Sequence, residues 1–184
     1  MKQPLIFVLG ALLATIPPAL ALAEAGSALP QIFSALSGAW TGQLEYRDFQ
    51  TDKRVFLPTW LDIAASPDGK SLQFTYVYDD GPTKTITERS TLSLDLANKR
   101  ATLTSDRDHS ADTYSIEGLE KLRPSGFGDL VLTGTGTEND KPVDVRISLT
   151  LNRNLYTFRK ETRPPGKDFL FRDGYSFTRR NPPQ

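Results

Sequence analysis

From Gly38 onward, apolar and polar residues alternate in short runs broken by turn residues. Leu72, Phe74, Tyr76 and Tyr78 fall on one face of their run, and Val143, Val145, Ile147, Leu149 and Leu151 on one face of another. Trp40, Gly42, Leu44, Tyr46 and Asp48 do the same near the start. Phe169, Phe171, Asp173, Tyr175, Phe177 and Arg179 do so at the end. The opposite faces are mainly Thr, Ser, Asp, Lys and Arg, as in a sheet that is wet on one side. The period of two predicts strands near 38–48, 54–64, 70–79, 83–96, 100–106, 111–121, 127–138, 142–152, 154–162 and 168–179. Ser66-Pro67-Asp68-Gly69, Asp80-Gly81-Pro82, Glu138-Asn139-Asp140-Lys141 and Pro164-Pro165-Gly166 supply the turn chemistry between them. Leu29 to Leu36 is the one helix candidate, just ahead of the first strand.

An antiparallel sheet this wide with one apolar face curls, splits or closes. Closure removes the exposed edges and turns the apolar face into a lumen. The expected fold is therefore all-β: a single up-and-down antiparallel barrel of about ten strands with a short N-terminal helix. A two-sheet sandwich is the competing architecture, but the connections are too short for Greek-key crossovers.

The first residues read as an address. Lys2 precedes the uncharged run Leu5–Ile16, Pro17-Pro18 breaks it, and Ala19 to Ala23 offers small-x-small cleavage sites. This is the layout of a secretory signal peptide, too short to span a bilayer. Residues 1–23 are expected to be removed, leaving a barrel domain over 24–184 in the periplasm or the external medium.

Composition narrows the chemistry. The chain of 184 residues has no cysteine, one histidine, and 22 basic against 22 acidic residues. Disulfides, thiolate nucleophiles, iron–sulfur clusters and multi-histidine metal centres are excluded within the chain. Balanced charge argues against nucleic acid and anionic membranes as partners. His109 lies in the polar run Ser105–Asp112 and reads as a solvated loop residue. No cofactor or metal is expected.

Leu29–Leu36 followed by Gly38-Ala39-Trp40, with Tyr175-Ser176-Phe177-Thr178-Arg179 at the far end, resembles the opening and closing segments of calycins, the lipocalins and fatty-acid-binding proteins. Tyr46-Arg47-Asp48-Phe49, Tyr76–Pro82 and Phe171–Tyr175 are similar to segments of uncharacterised secreted bacterial lipocalin-like domains. The resemblance implies a barrel closed at one end, with Arg179 lying over Trp40 as a structural plug. Two features depart from the pattern. Phe49 to Lys53 leaves no room for a helical lid, and no histidine stands near the C-terminal strands to hold haem.

Tyr46, Tyr76, Tyr78, Phe171 and Tyr175 fall on the faces assigned to the lumen, with Trp60 near the mouth. Arg89 and Arg159 are the candidate anion contacts. Apolar walls with a few polar anchors are the makeup of a small-molecule pocket. The leading expectation is an exported, monomeric or weakly dimeric barrel binding a small apolar or amphipathic molecule, with no stable membrane insertion after cleavage. One alternative is a filled barrel that works through its surface, with Phe56, Pro58 and Trp60 as the exposed patch. The other is an enzyme using a pair drawn from Asp48, Asp79, Asp80 and Asp173.

Overall fold

The computed structural model describes residues 34–48, 50–67, 69–118 and 127–180. The signal segment, the first part of the expected helix (29–33) and the last residues of the expected sixth strand (119–121) lie outside them; Ser34 to Leu36 form one helical turn. Ten antiparallel strands follow: β1 (Gly38–Arg47), β2 (Arg54–Ala65), β3 (Ser71–Asp79), β4 (Thr85–Asp95), β5 (Arg100–Ser105), β6 (Ala111–Glu117), β7 (Phe127–Glu138), β8 (Lys141–Asn152), β9 (Leu155–Arg163) and β10 (Leu170–Arg179). Each pairs with its neighbour in sequence, and β10 returns to β1 to close the barrel. The expected architecture and the observed one agree, and strand ends differ by a residue or two where they are described.

Turn chemistry sets these hairpins. Asn139 and Asp140 both take positive φ (50° and 60°) between the paired Glu138 and Lys141, the backbone that a two-residue hairpin matching strand twist requires. Asp48 accepts the backbone N–H groups of Gln50 and Thr51 at 3.0 and 2.7 Å, which folds the chain tightly between β1 and β2. Pro58 is accommodated in β2 because pairing with β3 begins only at Thr59. The buried Thr59 hydroxyl accepts the Leu44 N–H at 3.1 Å and donates to the Leu57 carbonyl at 2.9 Å.

The end of the barrel beside the helical turn is plugged. Trp40 is fully buried, and its indole N–H donates to the Leu36 carbonyl at 3.0 Å. The Arg179 guanidinium lies 4.1 Å from the Trp40 ring and donates to the Ser37 and Ala35 carbonyls at 2.7 and 2.6 Å. Such stacking contributes about 0.5–2 kcal/mol according to desolvation. Leu61, Leu72, Ile147 and Phe177 pack above this floor.

Gly42 lies in the seam between β1 and β10, opposite Phe177. A β-carbon there would stand 1.9 Å from the Ser176 carbonyl oxygen, so the two strands approach only because the side chain is missing. Gly42→Ala is expected to lower stability by about 2 kcal/mol or more. A denaturant midpoint unchanged from the wild type would contradict this account of closure.

Candidate functional site

Above the plug the lumen widens into a cavity of about 230 Å³. One wall is aromatic. Tyr76 stacks on Tyr175 with ring centroids 5.1 Å apart, and Phe158 meets Tyr175 edge-on at 5.6 Å. Phe74 and Tyr156 extend the apolar lining, with Leu92, Leu132, Ile147 and Leu149 beside them. These side chains converge because each sits on the inward phase of its strand, two residues from the next. The Tyr78 and Tyr175 hydroxyls bond each other at 2.9 Å across the lumen. Burial pushes the Tyr78 phenol up to about 12, and those of Tyr76 and Tyr175 well above the ordinary value, so all three stay neutral donors.

Polar and charged side chains share the lining. Glu88 and Ser90 from β4, Asp112 from β6, Lys160 from β9 and Asp173 from β10 all line the cavity. Glu88 is engaged at the rim, where it accepts from Arg107 at 2.7 Å. At the same end of the barrel, Arg172 donates to Thr162 at 2.7 Å and pairs with Glu138, the last residue of β7. Asp173 keeps partial exposure, and that surface borders the cavity. Desolvation raises its carboxyl to about 6; Lys160 opposes the rise and Glu138 adds to it.

A second hollow of about 700 Å³ adjoins the first and shares Asp112, Tyr114 and Lys160 with it. Its origin is a short seam: among the described residues β6 and β7 pair at Ser115–Thr133, Ile116–Leu132 and Glu117–Val131. Beyond them Ala111–Thr113 pair with β5 and Thr135–Thr137 with β8 but not with each other, leaving a slot in the wall. Gly134 lets the Tyr114 ring lie across β7 here; a β-carbon on it would stand 2.8 Å from that ring.

The residues singled out in the sequence divide. Tyr76 and Tyr175 line the cavity, Arg89 borders it with an exposed side chain, and Tyr78 packs against Tyr76. Tyr46 stands opposite Asp173 in the β1–β10 register, half-buried and beyond the cavity lining. Three expected lumen residues sit on the outer wall instead. Trp60 is 38% exposed, because the buried Thr59 and Leu61 take the inward phase of β2.

Phe171 is turned outward by a β-bulge. Phe171 pairs with Glu161 and Asp173 with the next residue, Lys160, so Arg172 is extra and the face switches. The Phe171 ring then lies outside between the Arg54 and Arg159 guanidiniums, each 4.9 Å from its centroid. Arg159 also faces outward and bonds Glu161 at 3.0 Å. The inward cation is its neighbour Lys160, which the Tyr156–Phe158–Lys160–Thr162 alternation carries in its phase. Of the four rim aspartates considered for a carboxylate pair, only Asp173 lines the cavity: Asp48 caps its turn and Asp80 pairs with Lys84.

No protein-family model matches the chain, and no curated protein matches it. Solved structures do. The crystal structure of Rv2717c from M. tuberculosis aligns with a TM-score of 0.57 at 15% identity, covering 91% of this chain and 100% of that one. The S-type phycobiliprotein lyase CpeS from Guillardia theta aligns at 0.55 and 11% identity, covering 89% and 98%. Both neighbours are ten-strand barrels. The fold is that of a calycin-like barrel. At these identities the likeness concerns the backbone architecture, and the cavity chemistry is this chain's own.

Asp173 gives this calycin-like barrel a pH signature. Its carboxyl sits near 6 in the fold and near the ordinary 3.8 when unfolded, so the native state binds the extra proton between those values. Its contribution to stability therefore falls as pH rises from about 4 to about 6 and stays reduced above that. Asp173→Asn is expected to stabilise the protein by on the order of 2 kcal/mol at pH 7.5 and by little at pH 4. Thermal unfolding at the two pH values checks this; equal effects at both would contradict it.

Proposed function

We propose that this protein is an exported calycin-like barrel that holds one small molecule in its lumen. The observation that carries the reading is the aromatic-walled cavity of about 230 Å³ with Lys160 and Asp173 on its polar side. A filled core closes such a space with side chains; here β6 and β7 part beside it. A mostly apolar pocket with a few fixed polar groups is how proteins orient a small ligand. Arg159 has no part in this pocket, so Lys160 takes the place of the anion contact expected of it. Export rests on the charged start, apolar run and small-residue exit of residues 1–23.

A surface-acting module is the second reading, favoured by the exposed Phe56 (52%) and Trp60 (38%) on the outer face of β2. Native mass spectrometry of the protein from its source organism separates the two. The binding reading expects a stoichiometric small companion that departs on denaturation, on a chain that begins near Glu24. A protein that always travels alone at its own mass would contradict the binding reading, and a full-length chain retained inside cells would contradict export.

A further inference from the structure

Lys160 and Asp173 stand directly opposite each other in the β9–β10 register, and both line the cavity. Opposite charges so placed on one face of a sheet ordinarily pair. These two do not: among the described residues, neither side chain makes a hydrogen bond or an ion pair. Among the other charges around them, Glu88 is committed to Arg107, Glu138 to Arg172, and Glu161 to Arg146 and Arg159, while the Arg89 side chain at the border is exposed to solvent. The cavity thus presents the Lys160 ammonium and the Asp173 carboxylate side by side with open hydrogen-bonding capacity. Asp112 adds acceptor capacity, its one contact being the Tyr114 hydroxyl at 3.4 Å.

A ligand's charge pattern must answer both groups. A simple cation would satisfy Asp173 and bury the Lys160 ammonium beside a like charge; a simple anion would do the reverse. Enclosing an uncompensated charge costs more than a neutral hydrogen bond returns. A molecule carrying both signs a few bonds apart satisfies the two together, while the stacked Tyr76 and Tyr175 rings offer a flat face to an aromatic body. We propose that the cavity takes a small aromatic zwitterion, its cationic group toward Asp173 and its anionic group toward Lys160. The proposal rests on the small-molecule reading above and adds the chemical class.

Isothermal titration of the mature protein at pH 7.5 with tryptophan, tryptamine and indole-3-propionate varies the charge on one aromatic body. Tryptophan is expected to bind about tenfold tighter than either singly charged relative. Asp173→Asn is expected to cost tryptophan about tenfold and to spare indole-3-propionate; Lys160→Met should cost tryptophan the same and spare tryptamine. Lys160→Arg, which keeps the charge, should retain the preference. A singly charged relative binding as tightly as tryptophan would overturn the proposal, as would an intact affinity in either variant once cooperative thermal unfolding shows that the variant is folded. If no indole binds but a small companion is found by native mass spectrometry, the zwitterion proposal falls and the binding reading stands. If neither is found, both fall.

Discussion

Closure of β10 onto β1 is the constraint on which the rest of the molecule depends. An open sheet of ten strands would leave two unpaired edges and an uncovered apolar face. Gly42 makes the seam possible by admitting the Ser176 carbonyl into the space a side chain would fill. Arg179 then spans the floor, tying the last strand to the backbone of the helical turn at Ala35 and Ser37 and to the Trp40 ring. With one end sealed, interior polarity is graded: apolar at the plug, aromatic midway, and charged toward the far end where Lys160 and Asp173 lie.

The chain interrupts its own regularity at two places, and both lie beside the cavity. The bulge at Arg172 turns Phe171 out and brings Arg172 within reach of Glu138 and Thr162, leaving Asp173 on the inward phase without that arginine as its partner. The short β6–β7 seam opens the wall beside Lys160 and Asp112. A carboxyl raised to about 6 by desolvation reduces stability at neutral pH. Such a residue, held against folding stability and facing a concave space, is what a binding role would require.

Most of the fold was legible in the sequence because antiparallel hairpins leave a local record: alternation with period two, then turn residues such as Asn139-Asp140. The outer and inner faces of β3 and β8 could be read directly, since no irregularity shifts their phase. The cavity was harder. The Asp173–Tyr175–Phe177 alternation, extended back to Phe171, crosses a bulge whose one mark in the sequence is the adjacent Gly174, beside which the Phe171 ring lies. Tyr156 and Phe158 set a phase that carries Lys160 inward and the expected anion contact Arg159 outward. On β2 the small Thr59 takes the buried inward position and Trp60 the outer face. Non-local effects, such as desolvation of Asp173 and the parting of β6 from β7, leave no mark in any short window of residues.

Asp173 faces the cavity beside Lys160, largely removed from bulk water and, among the described residues, without a hydrogen bond or ion pair. Titration of its side-chain carboxyl carbon by NMR in the ligand-free protein tests this directly. The account predicts a midpoint near 6. A midpoint at or below the ordinary carboxylate value would place Asp173 in bulk solvent or in an ion pair with Lys160, and would contradict it.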